Sequence, residues 1–154
     1  MIKIYIDGSS PKEKIYPSAY CIFKEKKLIY SKVLEENLPA QDVEYLALIE
    51  TLNLIKEEII TDDKIEIYTD CGWMVQELNF VREPKNIKLF NKARELLNLI
   101  KIDLKLIVIS RTKNIAGKYL EKRLYTLRDD IKSTMNPKPN PRLKWERKRK
   151  KYRK

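Results

Sequence analysis

The sequence predicts an α/β protein with a five-stranded mixed sheet flanked by helices. Two observations support this: apolar and polar residues alternate in the first third of the chain, and apolar residues recur at helical spacing in residues 40–60. A third is the order of elements, which is three strands, a helix, a strand, helices, a strand and a helix. Strands joined through helices are expected to pair in parallel in the second half of the sheet.

The first third of the chain has the pattern of short strands joined by turns. IKIYID (2–7) alternates Ile with Lys, Tyr and Asp, and the turn residues of DGSSPKEK follow it. SAYCIFK (18–24) and KLIYSKVLE (27–35) are two more β-rich segments, joined by a charged KEK turn. Together these segments predict an antiparallel meander.

A long apolar helix is predicted for residues 40–60, where the period of the pattern changes. Its apolar positions are Val43, Leu46, Ala47, Ile49, Leu52, Leu54 and Ile55. KIEIYTD (64–70) then returns to the alternation of a strand and is predicted to be the fourth.

The second half of the chain alternates helices and strands. A helix is expected directly after Asp70 and another, amphipathic, at residues 88–100. LKLIVIS (104–110) is the fifth predicted strand. The last helix is expected at residues 114–132, with Asn114 as its N-cap.

Composition limits the chemistry that the chain can perform. The 154 residues include no histidine, which excludes Ser-His-Asp and Cys-His nucleophiles, HExxH zinc sites and imidazole bases. The 3 glycines form no Gly-rich phosphate loop. Cys21 and Cys71 form no CxxC motif and are interpreted as buried or half-buried thiols in a reducing compartment. Carboxylate chemistry, with or without a metal, is what remains.

The expected location is the cytoplasm. The amino-terminal segment MIKIYIDGSS is charged and lacks the apolar run of a signal peptide. No stretch of the sequence approaches the ~18 apolar residues of a membrane span.

Three acidic residues stand where α/β proteins carry functional groups. Asp7 and Asp70 end the first and fourth predicted strands, and open α/β sheets bind ligands at the carboxyl ends of their strands. Glu44 lies in the first turns of the long helix. Taken singly, each has a simpler explanation: a turn residue, an N-cap and a residue that favours the helix dipole.

Taken together, the strings YIDGS, EYLALIETL and YTD resemble the type 1 ribonuclease H family in their order and spacing. EYLALIETL is similar to the family's E-Y/L-x-A-L-I-x-x-L helix, and YTD followed by Cys71 is similar to its T-D-S. RTKNIAGKYLEKRL is similar to the last family element, R/H-x-x-N-x-x-A-D-x-L-A. The resemblance covers about residues 1–131 and implies a ribonuclease H-like fold.

The resemblance also implies an activity. Family members cut the RNA strand of RNA–DNA hybrids and leave 5′-phosphate and 3′-hydroxyl ends. The implied cofactor is Mg²⁺, with Mn²⁺ as a substitute, because these ions prefer oxygen ligands. Two ions ~4 Å apart activate the attacking water and stabilise the leaving oxyanion. Asp7 would bridge both ions, and Glu44 and Asp70 would complete the shell of the first.

Contacts to the nucleic acid are implied for four further residues. Gly8 and Ser9 resemble the family's backbone contacts to the RNA strand, where small residues let the chain approach the 2′-hydroxyls. Gln41 stands where the family has a minor-groove amide, and its other interpretation is a solvated helix residue. Asn114 either positions the substrate or the site, or is only an N-cap.

Lys118 breaks the family's pattern. Alignment of Asn114 and Leu120 with the family's Asn and Leu puts Gly117 at the Ala and Lys118 at the Asp. That Asp is the fourth catalytic carboxylate and a ligand of the second ion. An ammonium a few ångströms from Mg²⁺ costs kilocalories at an intermediate dielectric constant, so the usual two-ion site is in question.

Three interpretations of Lys118 stay open. Its ammonium pairs with Asp7 or Asp70 and leaves room for one ion or none. Alternatively, it stabilises the scissile phosphate or the leaving oxygen in place of the second ion. In the third, Glu121 supplies the missing carboxylate, although this residue is also interpreted as an ordinary surface residue.

The carboxyl-terminal segment has a different composition from the rest. Residues 132–154 carry eleven of the 33 Lys and Arg residues and one of the 22 acidic ones, so their net charge is +10 and that of the remainder is +1. The predicted organisation is a ribonuclease H-like domain at 1–132 and a flexible basic arm at 133–154.

The arm is predicted to bind nucleic acid, because its cations neutralise phosphates and its aromatic rings stack on bases. Its candidate contacts are Lys144, Trp145, Arg147, Lys148, Arg149 and Lys150. The alternative is a charged tail that only solubilises the protein or serves as a localisation signal.

The predicted function is metal-dependent hydrolysis of the RNA strand of RNA–DNA hybrids, with the arm tethering the substrate. The alternative is a weakened or inactive ribonuclease H-like protein that binds hybrid or other duplexes, with Lys118 in the metal site. A third interpretation is a nuclease or nucleotidyl-transfer enzyme of the wider superfamily that acts on DNA.

Overall fold

The computed structural model describes residues 1–8, 18–34 and 40–120, apart from the side chains of Ala40 and Gln41. Met1–Leu120 form one compact unit. The domain boundary predicted at residue 132 lies outside the described residues.

One sheet contains all five predicted strands. They are β1 (Ile2–Gly8), β2 (Ser18–Lys24), β3 (Lys27–Leu34), β4 (Lys64–Thr69) and β5 (Asp103–Val108). Their order across the sheet is β3-β2-β1-β4-β5. The prediction of a five-stranded sheet is therefore confirmed.

The pairing of the strands is mixed, as predicted. β1 pairs antiparallel with β2, and β2 pairs antiparallel with β3, which confirms the meander. β4 pairs parallel with both β1 and β5. Because β1 and β4 are parallel neighbours, their carboxyl ends meet at one edge of the sheet.

The core lies between the sheet and helix α1 (Ala40–Lys56). The strands present every second residue to this helix, as strand geometry requires. The buried residues of β1 and β4 on this face are Ile2, Ile4, Ile6, Ile65 and Ile67, and those of α1 include Leu48, Leu52 and Ile55. Burial of these side chains is the main force that fixes α1 against β1.

Helix α1 ends at Lys56, so the prediction that it reaches residue 60 is wrong. Glu58 has a φ of 57°, which the helix cannot accommodate. The amide of Ile59 donates to the carbonyl of Leu54 at 3.0 Å, and that of Glu58 donates to Ile55 at 3.1 Å. This left-handed turn terminates the helix in the pattern usually formed by glycine.

The remaining helices follow the prediction closely. Helix α2 is Gly72–Leu78 and helix α3 is Ile87–Leu99. The sequence pattern did not predict the short 3₁₀ helix Arg111–Lys113. Residues 115–120 are helical, and the rest of the helix predicted at 114–132 lies outside the described residues. In the described part of the chain, the helices are all too short or too polar to cross a membrane.

Candidate active site

Three carboxylates converge at the carboxyl edge of the central strands. Asp7 lies near the end of β1, Asp70 directly follows β4, and Glu44 lies in the second turn of α1. One carboxylate oxygen from each lies within 4.8 Å of the others. The parallel pairing of β1 and β4 brings the two aspartates together, and the packing of α1 on β1 adds the glutamate.

Gly8 holds two of these carboxylates through its amide. Its N–H lies 2.9 Å from Asp7 Oδ1 and 3.0 Å from Glu44 Oε1. A Cβ atom at this position would lie 2.7 Å from Val43 Cγ2 and 3.1 Å from the backbone nitrogen of Glu44. A side chain would therefore push α1 away from β1, so the close approach of helix and strand requires glycine.

Burial makes the charged forms of these carboxylates unfavourable. Asp7 is 9% exposed and Glu44 is 8% exposed. Burial, reinforced by the charge of Asp70, raises the pKa of Asp7 to about 7, while the Gly8 amide and Arg111 oppose this shift. Burial, with the charges of Asp7 and Asp70, likewise raises the pKa of Glu44 well above its usual value. A bound cation would remove this penalty.

Two oxygens of the cluster are buried without a hydrogen-bond donor among the described residues. They are Glu44 Oε2 and Asp70 Oδ2. An unsatisfied buried oxygen costs ~1–3 kcal/mol, so native proteins rarely leave one without a function. Three carboxylates, with two buried oxygens that accept no hydrogen bond from the described residues, are a donor set that suits a hard divalent cation such as Mg²⁺ or Mn²⁺. The residues present therefore fit the metal that the sequence implied.

Arg111 is the cation nearest to the cluster among the ion pairs of the described residues. Its Nε lies 3.7 Å from Asp70 Oδ2, which is an ion-pair distance but too long for a hydrogen bond. Its side chain is 84% exposed, so water screens most of this attraction. The predicted site does not include Arg111, although its R-x-x-N spacing to Asn114 is a signal that points to the same edge.

Asn114 connects the last described helix to β1. Its Nδ2 donates to the Ile6 carbonyl at 2.8 Å, and its Oδ1 accepts from the Ala116 amide at 3.2 Å. The second bond is that of an N-cap, as predicted. The first bond fixes the start of the helix beside Asp7. Because Asn114 is only 2% exposed, its burial favours a positioning role over a contact with substrate.

Gly117 in the last described helix lies directly beside Asp7. A Cβ atom at Gly117 would lie 2.8 Å from Asp7 Oδ2. The side chain of Lys118 is exposed, and within the described ranges it forms no ion pair with a carboxylate.

Several predicted contacts lie outside the described residues. These are Ser9, Glu121, the side chain of Gln41, and the arm residues Lys144, Trp145, Arg147, Lys148, Arg149 and Lys150. The backbone of Gln41 lies in the first turn of α1, three residues before Glu44. The roles of all these residues stay predictions.

The fold and the site together define an α/β protein with a three-carboxylate centre at the carboxyl edge of its central strands. The chain belongs to the RNase H family, whose sequence model matches residues 1–121. Among curated proteins, none matches this sequence.

Solved structures of other RNase H proteins share the fold. LC11-RNase H1 in complex with an RNA/DNA hybrid is 20% identical, with a TM-score of 0.62 over 78% of this chain and 99% of that one. RNase H1 from Halobacterium salinarum NRC-1 is 20% identical, with a TM-score of 0.64 over 79% and 98%. The N-terminal RNase H domain of rv2228c from Mycobacterium tuberculosis, solved as a maltose-binding-protein fusion, is 14% identical, with a TM-score of 0.66 over 82% and 97%. The predicted ribonuclease H-like fold is confirmed.

Proposed function

We propose that this protein is an endonuclease that hydrolyses the RNA strand of RNA–DNA hybrids in a metal-dependent reaction. The observation that carries the proposal is the convergence of Asp7, Glu44 and Asp70 within 4.8 Å, with Glu44 Oε2 and Asp70 Oδ2 buried and without a hydrogen-bond donor among the described residues. A related fold has been solved with an RNA/DNA hybrid bound, which supports the choice of substrate.

The proposed cofactor is Mg²⁺ or Mn²⁺. Asp7, Glu44 and Asp70 would bind one or two of these ions. When bound, such an ion polarises the phosphoryl oxygen and lowers the pKa of water. The protein's own contribution is to keep the ligands in place. The Gly8 amide fixes one oxygen each of Asp7 and Glu44, which leaves Glu44 Oε2 free to bind.

The proposed contacts to the hybrid include Gly8, Ser9, Gln41 and the basic arm. Gly8 lies beside the carboxylates and is small enough for a nucleic-acid backbone to approach. Ser9 directly follows Gly8, and Gln41 precedes Glu44 by three residues. The basic arm, with Lys144, Arg147, Lys148, Arg149 and Lys150, would tether the substrate through its phosphates. Asn114 is proposed to position the site, because its hydrogen bond to the Ile6 carbonyl holds the start of the last described helix on β1.

A second candidate function follows from Lys118. The family pattern has a carboxylate at this position, and here an exposed ammonium replaces it. A protein without the fourth carboxylate would bind hybrids and cleave them slowly or not at all. Glu121 is the residue that would restore a carboxylate if it reached the site.

The decisive experiment measures cleavage of a labelled RNA–DNA hybrid by purified protein in Mg²⁺ and in Mn²⁺. Asp7→Asn is expected to lower kcat/KM by ~10³-fold or more, because metal ions contribute several kcal/mol to such reactions. Asp103→Asn is the matched control, since this exposed aspartate begins β5 and lies away from the cluster in the chain. Hybrid binding without product in either metal would refute the enzyme and favour the binding protein.

The two candidate functions also predict different cleavage activities for the Lys118→Asp variant. If the ammonium limits the site, this variant gains activity and Lys118→Ala gains less. No gain from either variant would exclude Lys118 as the limiting residue.

Double-stranded RNA and DNA as competitors test whether the hybrid is the preferred substrate.

A further inference from the structure

Glu77 is a buried carboxyl group outside the three-carboxylate cluster. It lies in α2, is 1% exposed, and its Oε2 has no hydrogen-bond partner among the described residues. Its Oε1 accepts a hydrogen bond of 2.6 Å from the hydroxyl of Tyr45. A carboxyl group in such a place disfavours folding, so its presence calls for a function.

The hydrogen bond between Tyr45 and Glu77 joins two elements of the site. Tyr45 follows Glu44 in α1, and α2 begins at Gly72, two residues after Asp70. Tyr45 is 1% exposed, and its ring lies 6.0 Å from that of Trp73, also in α2. The helix that carries Glu44 is thus attached to the helix that follows Asp70.

Tyr45 and Glu44 are neighbours in α1, and each is bonded to a different element. Consecutive residues of a helix point about 100° apart, so Tyr45 is directed at α2 while Glu44 is directed at β1. When the hydroxyl of Tyr45 is held, α1 cannot rotate about its axis without breaking a short buried hydrogen bond. The same rotation would move Glu44 Oε1 away from the Gly8 amide, which donates a hydrogen bond to it.

We infer that Glu77 is a positioning residue that sets the placement of Glu44 through the Tyr45 hydroxyl. The inference rests on the proposed metal-binding role of Glu44 for its functional consequence. The structural part of the inference does not require a metal. It states that the Glu44–Gly8 hydrogen bond depends on the Tyr45–Glu77 hydrogen bond.

The first test is hydrogen exchange of the Gly8 amide, measured by NMR in metal-free protein. Tyr45→Phe removes only the hydroxyl and is expected to lower the protection of this amide at least tenfold. The Ile67 amide in β4 serves as the reference for global unfolding. The matched control is Thr51→Val, which also deletes a buried hydroxyl of α1, one that bonds only to the Ala47 and Leu48 carbonyls of the same helix.

The second test is the affinity for Mn²⁺, measured by calorimetry on the full chain. Tyr45→Phe and Glu77→Leu are expected to weaken Mn²⁺ binding by ~10–100-fold, the usual effect of losing a residue that orients a metal ligand. Glu77→Gln keeps an oxygen that accepts from Tyr45 and is expected to bind Mn²⁺ within about twofold of wild type. If Glu77 only stabilised the fold, the Mn²⁺ affinity of each variant would follow its free energy of unfolding and not the presence of an acceptor for the Tyr45 hydroxyl.

The outcomes separate this inference from the proposed function. Unchanged Gly8 protection in Tyr45→Phe, relative to Ile67, would overturn the inference whether or not the protein binds metal. Failure of the wild type to bind Mn²⁺ would overturn the proposed metal site, while the exchange measurement still decides the role of Glu77. Loss of protection in Tyr45→Phe with retention in Thr51→Val and Glu77→Gln supports the inference.

Discussion

The two ends of helix α1 pack against the same sheet in opposite ways. Towards its carboxyl end, Leu48, Leu52 and Ile55 are buried among the isoleucines of β1 and β4. Near its amino end, Glu44 is buried beside two aspartates, and one of its oxygens has no partner among the described residues. The carboxyl-terminal part of α1 thus buries apolar side chains, and the amino-terminal part buries a charged group.

This difference indicates that stability and function are separated along one helix. Burial of apolar side chains stabilises the fold, whereas burial of like charges without a counterion destabilises it. The apolar end therefore holds the acidic end in an arrangement that the carboxylates alone would not adopt. The following three predictions test this separation, from the largest expected effect to the smallest.

Leu52→Ala is expected to have the largest effect on stability, because Leu52 is fully buried in the core. The loss should be about 2–5 kcal/mol in the free energy of unfolding, from lost burial and a residual cavity. Urea denaturation at neutral pH measures it. The pH dependence of stability should be unchanged in this variant. A change there would show that the two ends of α1 are not independent.

Asp7→Asn is expected to stabilise the metal-free protein at neutral pH. Because burial and Asp70 raise the pKa of Asp7 from 3.8 to about 7, the folded state binds a proton more tightly than the unfolded state. The resulting stability is fully present below about pH 4 and is lost as the pH rises through about 7. The variant should therefore be more stable than wild type at pH 8 by on the order of 1–4 kcal/mol.

Unfolding by urea at several pH values, with a chelator present, measures this effect. The advantage of Asp7→Asn should vanish as the pH falls below 3.8, where the wild-type aspartate becomes protonated in the unfolded state as well as in the folded state. Mn²⁺ at 100 times its dissociation constant should raise the stability of the wild type by about 2.7 kcal/mol and that of the variant by less. A variant less stable than wild type at pH 8 would contradict the destabilisation expected from the raised pKa of Asp7.

Glu58→Gly is expected to have the smallest effect, at the turn that ends α1. Glu58 has a φ of 57°, which glycine adopts without the strain that a side chain causes. The variant should be more stable by about 0.5–1 kcal/mol. Glu57→Gly is the matched control, since Glu57 is also exposed but has no positive φ, and this variant should be less stable than wild type. Thermal unfolding of both variants measures the difference.

Much of the fold could be predicted because the pattern of apolar residues reports the period of each element. The alternation in IKIYID and the helical spacing from Val43 to Ile55 are local signals, and both elements form as predicted. The end of α1 was misplaced because Ile59 and Ile60 continue the apolar pattern. In the structure, the left-handed backbone at Glu58 ends the helix, and the Ile59 side chain is 66% exposed.

The candidate site was predictable only in part. Asp7, Glu44 and Asp70 were found because their motifs are contiguous strings of sequence. The close approach of Gly117 to Asp7 and the bond between Tyr45 and Glu77 join residues distant in the chain. Such contacts follow from how helices dock on the sheet, and no local pattern encodes them.

By itself, the sequence determined the five strands, the helices between them and the three acidic motifs, because each depends on neighbouring residues and their spacing. The tertiary structure alone decided which carboxylate oxygens are buried without a hydrogen-bond donor among the described residues, that Gly8 holds two carboxylates, and that Gly117 lies beside Asp7. Those facts depend on distances of a few ångströms between elements. Packing sets these distances only when the whole chain has folded.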